Sequence, residues 1–112
     1  NNFVKVNNHY ILVQRVDNFD KNNFTSTFDT LKTIYPSYII LLANVNEGRI
    51  SYIAGVSKDL TSSYQAGNII KRIAFLTEGS GGGRNDVAQG GGKNISKLND
   101  ALKEVLGELS KW

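Results

Sequence analysis

The 112-residue chain has no cysteine and no methionine, and one residue each of proline, histidine and tryptophan. Without cysteine, neither a disulfide framework nor a thiolate metal site is available. That absence fits a reducing compartment. With His9 as the only histidine, a Cys/His pair and a histidine-based metal cluster are both excluded. A single histidine beside a strand reads as a surface or packing residue. No apolar run approaches the roughly 18 residues a helix needs to cross a bilayer. No signal-peptide pattern opens the chain. The lack of any methionine, with Asn1 first, leads to the expectation that this is a piece of a longer polypeptide.

What is present is ordinary for a globular fold: 40% hydrophobic and 21% charged residues, with room for one domain and one core. Residues 1–8 read as a linker remnant with at most one edge strand, and residues 9–112 as a single domain. The net charge of +3 is mild and alone does not mark a nucleic-acid binder. Its distribution says more. Residues 1–57 carry five positive and four negative side chains, residues 58–97 six and three, and residues 98–112 two and three. The positive excess surrounds one segment, Gly81-Gly82-Gly83-Arg84-Asn85-Asp86-Val87-Ala88-Gln89-Gly90-Gly91-Gly92-Lys93.

Hydrophobic periodicity places that segment among regular elements. Tyr10–Val16 reads as a first strand covered on both faces. Asn23 is expected to cap a helix whose apolar face is Phe24, Phe28, Leu31 and Tyr35, and Pro36 stops it. Tyr38–Ala43 is the most apolar stretch and should be a central strand. Asn46-Glu47-Gly48 supplies a short hairpin turn, and Arg49–Val56 returns antiparallel. A second helix is expected from about Ser63 to Leu76, burying Ala66, Ile69, Ile70, Ile73 and Ala74 and exposing Lys71 and Arg72. Asn94 or Ser96 caps a last helix with apolar Leu98, Ala101, Leu102, Val105, Leu106 and Leu109. Trp112 either packs on the sheet edge or hangs free. The order β-α-β-β-α-(β)-α gives an α/β chain of the α+β type, one mixed sheet with helices packed on it.

The two triple-glycine runs are expected to form a structured loop, with Val87-Ala88-Gln89 adding a short strand. Successive N–H groups without side chains make a concave anion site, and Arg84 and Lys93 stand at its corners. Gly67 inside the second helix suggests close approach of another backbone, the glycine loop itself. Arg84 has two open roles: gripping a phosphate bidentately, or closing the loop through Asp86 or backbone carbonyls. Lys58, Lys71, Arg72, Lys93 and Lys97 form a phosphate-tracking surface if clustered. Tyr64 either stacks on a base or packs over the second helix. Asp59 and Asp86 are read as turn and orienting residues. No catalytic constellation and no metal-ligand spacing is found.

The segment resembles the C-terminal domain family of alanyl-tRNA synthetases, which carries the pattern Gly-Gly-Gly-Arg-x-Asp-x-Ala-Gln-x-Gly-Gly. Val56-Ser57-Lys58-Asp59-Leu60, Gln65-Ala66-Gly67-Asn68-Ile69-Ile70 and Ala101-Leu102 extend the resemblance over roughly residues 10–109. Asn85 and Val87 depart from the family's usual proline and methionine. The resemblance implies a noncatalytic, cytoplasmic tRNA-binding domain that contacts the elbow of alanine tRNA and supports aminoacylation and editing by other domains of a parent synthetase. It implies ATP, magnesium and zinc only in those other domains. Carried onto this chain, it points to Gly81, Gly82, Gly83, Arg84, Gln89, Gly90, Gly91, Gly92, Lys93, Lys58, Lys71 and Arg72 as the tRNA-binding set. Two alternatives stand beside it. One is the substrate-binding domain of a DHH-type phosphodiesterase, where histidine usually stands in place of Arg84. The other is an oligomerisation module, with a homodimer through an apolar patch on the last helix.

Overall fold

A computed structural model describes residues 3–6 and 9–110. Nine elements follow in chain order. Strands β1 (Phe3–Val6) and β2 (His9–Asp17) precede helix α1 (Lys21–Ile34). Strands β3 (Tyr38–Asn46) and β4 (Arg49–Val56) lead to α2 (Ala66–Leu76), then β5 (Ser80–Gly83), β6 (Val87–Gly92) and α3 (Leu98–Leu109). Single 3-10 turns at Lys58–Leu60 and Ile95–Lys97 precede α2 and α3. The six strands form one sheet in the order β1-β2-β3-β4-β6-β5. Only the β2–β3 pair is parallel, so the sheet is mixed and the fold is of the α+β type.

The side-chain alternation of the central strands feeds two cores. Ile11, Val13, Ile39, Leu41, Tyr52 and Ala54 face α2 and α3. Leu12, Ile40, Leu42 and Ile53 face Phe24 and Phe28 of α1. Strands buried on both faces read as continuous apolar runs, which is why Tyr38–Ala43 was legible. The hairpin between β3 and β4 is a two-residue turn with Glu47 and Gly48 both at positive φ (54° and 73°), the twist that suits antiparallel strands.

Helix boundaries differ from the sequence reading, for a tertiary reason at α1 and for local hydrogen bonding at α2 and α3. Asp20, not Asn23, caps α1. Its side chain accepts from the Asn23 amide at 2.7 Å, because Asn44 clamps Phe19 by two hydrogen bonds and fixes where the chain turns. α2 starts at Ala66 rather than Ser63: Ser63 and Tyr64 still donate to Leu60, and Gln65 is extended. Neither Asn94 nor Ser96 caps α3; the Ser96 hydroxyl donates to Asn94 Oδ1, and Lys97 holds the N-cap position without a side-chain bond. Residues 3–6 of the expected linker are the edge strand β1, antiparallel to β2. Trp112 lies outside the described residues. Among those residues no helix is long and apolar enough to cross a membrane.

Candidate nucleic-acid interface

The glycine segment is not an open loop. It is the hairpin β5–β6, which extends the sheet beyond β4 and leaves β5 as a free edge. Much of its backbone hydrogen-bonding capacity is spent in the ladder, so the expected concave anion cradle is replaced by a ribbon. Its glycines let α2 lie close on the sheet. A Cβ at Gly90 would stand 2.6 Å from Ile70 Cγ2, and one at Gly81 only 2.5 Å from the Gly90 Cα. Gly82 is different: a Cβ there would meet nothing nearer than the Lys71 Cε, at 3.4 Å. The Lys71 stem therefore lies over the edge strand and carries its ammonium to the hairpin's rim.

The tip of the hairpin is tied to α2. Ala66 and Gly67 donate to the carbonyls of Asn85 and Arg84, at 2.8 and 3.1 Å. A Cβ on Gly67 would stand 2.9 Å from the Gly83 carbonyl oxygen, so the close approach expected at this glycine is present. These carbonyls occupy the first amides of α2, which would otherwise attract an anion. Val56 donates to Asp86 at 2.8 Å, which brings the start of the Lys58 turn to the same end of the sheet. Arg84 itself points outward. Its side chain is 78% exposed and its Nε is 3.4 Å from Asp86. It clasps nothing else in the described structure, and its guanidinium is open to solvent.

At the other end of the hairpin, Gly92 pairs with Ile50, and the Lys93 and Asn94 amides donate to the Thr77 carbonyl. Thr77 is fully buried and shares a 2.7 Å hydrogen bond with the Tyr52 hydroxyl. Arg49 and exposed Lys93 flank this end. Six residues of β6 separate Arg84 from Lys93, about 20 Å at strand rise, so the two cations cannot share one small anion. The Glu78 carboxyl is held below its ordinary range by the Asn94 amide, then by Lys97 and Lys93. Lys97 is 3.6 Å from it.

Arg72 does not join this surface as a free cation. It is gripped by Glu104 and Glu108 on α3, at 2.5 and 2.9 Å, and their hydrogen bonds and charge raise its pKa. Lys58 and Lys71 are exposed, with no side-chain ion pair among the described residues. Asp59 is bound by the Ser37 hydroxyl, and that bond, with one from Ser57, lowers its pKa. Tyr64 packs against the main core, edge-on to the buried His9 ring at 5.7 Å. The outer side of α3 is charged, with Lys103, Glu104 and Glu108 exposed, while Leu98, Ala101, Leu102, Val105 and Leu109 are buried.

The sequence reading missed Arg49, Lys21 and Ser51, which border the hairpin from the α1 side of the sheet. Their only local signal is alternation: Arg49 and Ser51 are polar between buried Ile50 and Tyr52. Which neighbours they meet depends on β6 pairing with β4.

Comparison with known proteins agrees with this architecture. The chain matches the DHHA1 domain over residues 8–111. It is 46% identical over 96 residues to an alanine–tRNA ligase of Oceanobacillus iheyensis, and 39% over 95 residues to that of Carboxydothermus hydrogenoformans. Each match covers 85% of this chain and 11% of the relative, so the chain spans about a tenth of these proteins. The crystal structure of the C-Ala domain from Aquifex aeolicus alanyl-tRNA synthetase superposes with a TM-score of 0.84 at 25% identity, covering 98% of both chains.

Proposed function

The chain belongs to the DHHA1 domain family, in the form similar to the C-Ala domain of alanyl-tRNA synthetase, and on that premise we propose that it is a noncatalytic tRNA-binding domain. It contacts the elbow of alanine tRNA and holds it for aminoacylation and editing carried out elsewhere in a cytoplasmic parent enzyme. ATP, magnesium and zinc belong to those other domains. The observation that supports this best is the arrangement of exposed cations around one hairpin. Arg84 and Lys58 stand at its tip, Lys71 at its edge, and Lys93 and Arg49 at its base. Cations about 20 Å apart along a strand suit several phosphates of a folded RNA rather than one small anion. Shape and backbone contact of this kind is how structured RNA is held.

The test is a binding titration of the chain against alanine tRNA, a second tRNA and a short single-stranded RNA. Preference for intact folded tRNA is the expected result. Tighter binding of the short oligonucleotide, or no binding with dimers in sedimentation, would replace this reading with the phosphodiesterase-type or oligomerisation role.

A further inference from the structure

α1 covers β2, β3 and part of β4 but stops short of β6. Beside it lies a cleft of about 710 Å³, within the range of small-ligand sites. Phe19 and Phe24 give it an apolar wall, Asn46, Ser51 and Gln89 give it polar groups, and Lys21 and Arg49 stand at its rim. We propose that this cleft holds one unpaired nucleotide of an RNA, with the base inside and the phosphate at Arg49 and Lys21. The proposal rests on the reading of the chain as a tRNA-binding domain and adds a site and a ligand class to it.

The chemistry of the wall carries the argument. Asn44 ties down the wall: its amide donates to the Phe19 carbonyl at 2.8 Å and its oxygen accepts from the Phe19 amide at 3.2 Å. Asn46 donates to the same carbonyl at 3.2 Å, which leaves its side-chain oxygen available. Ser51 and Gln89 are exposed and make no side-chain hydrogen bond among the described residues. A carboxamide, a hydroxyl and a lone amide oxygen supply both donors and acceptors, the mixture that a base edge requires.

Charge selects the rest of the ligand. Lys21 and Arg49 outweigh Glu47, the one acidic side chain lining the cleft, and neither cation has an ion-pair partner among the described residues. A second groove of about 660 Å³ shares Arg49, Ser51 and Gly90 with the cleft and runs to Lys93 over a glycine floor. It gives the flanking sugar–phosphate chain a path past Arg49. An apolar peptide would leave these amides and cations unmatched.

Two measurements test the proposal on the whole chain. The first follows backbone amide resonances on adding AMP, GMP, CMP and UMP separately. At least one is expected to shift Asn46, Ser51 and Gln89. The second measures tRNA affinity of Arg49→Gln and Ser51→Trp, both at exposed positions, with melting curves confirming that each is folded. Each should weaken binding about tenfold, one by removing a charged contact and one by filling the cleft. Unchanged tRNA affinity in both folded variants, with no shift at the cleft from any mononucleotide, would overturn the proposal and leave tRNA binding by the hairpin intact. Cleft shifts from a mononucleotide in a chain that binds no tRNA would sink the tRNA reading and retain the cleft.

Discussion

Gly67 and Gly107 lie in helices, and intrinsic propensity favours replacing either by alanine by up to about 1 kcal/mol. Their surroundings give opposite outcomes. A Cβ at Gly107 meets nothing within 4 Å, whereas one at Gly67 stands 2.9 Å from the Gly83 carbonyl, a backbone atom that cannot turn aside. Gly107→Ala is expected to stabilise the chain by about 0.5–1 kcal/mol. Gly67→Ala should destabilise it by about 1–3 kcal/mol, because the hairpin tip must move off α2. Chemical denaturation of the two variants compares them directly. At Arg84 the test is of binding. Its exposed side chain has only Asp86 nearby, so Arg84→Ala should leave the melting temperature unchanged and weaken tRNA binding about tenfold. Lys32, which lies over the Phe28 ring and beside Asp29, is the control; Lys32→Ala should leave affinity alone. A drop in melting temperature with normal binding by folded Arg84→Ala would make the arginine a clasp.

The hairpin β5–β6 contributes few side chains to the core, so it depends on how its ends are anchored. Thr77 anchors one end through its carbonyl and through its hydroxyl bond to Tyr52. Thr77→Val strands the buried Tyr52 hydroxyl and should cost about 1–3 kcal/mol. Adding Tyr52→Phe should recover part of that, and a double-mutant cycle reads the coupling. The other anchor, at the Lys58 turn, is sensitive to acid. Asp59 titrates below its ordinary value in the fold because Ser37 and Ser57 hydrogen-bond its ionised form. Its contribution is therefore complete above its unfolded pKa, about 4, and fades as pH falls through the lower folded value. Asp59→Asn should flatten the stability profile below about pH 4, and an unaltered profile would remove that hydrogen-bonded carboxylate from the account.

Across the molecule, charge is arranged by face. Arg72 is neutralised by Glu104 and Glu108 where α2 meets α3, and Lys97 by Glu78. Exposed Lys58, Lys71, Arg84, Lys93, Arg49 and Lys21 border the hairpin and the cleft beside it. If about three or four of them meet phosphates, the slope of log K for tRNA against log salt should be on the order of −2 to −4. A flat response would remove phosphate tracking from the proposed function. Arg72→Ala should leave that slope unchanged, since its charge is already matched within the fold.

Local pattern determined much of this protein. Continuous apolar runs at Tyr10–Val16 and Tyr38–Ala43 marked the central strands. Spacing at Ala66, Ile69, Ile70 and Ile73 marked the buried face of α2, and the Gly-Gly-Gly-Arg pattern marked the family. Gly67 was legible as a contact point because a helix has no local use for glycine. Tertiary structure decided what periodicity does not encode. Glycine runs have no side-chain alternation, so nothing local distinguished a loop from two paired strands; β4 and α2 made the choice by pairing with them and packing on them. The same pairing set Arg84 and Lys93 at opposite ends of a ribbon, and α3 withdrew Arg72 by bringing two carboxylates to it. Arg49, Ser51 and Lys21 became neighbours only where the first turn of α1 meets the cleft between it and β6. Ion pairs and clefts join residues distant in the chain, and their physics begins when the fold has closed.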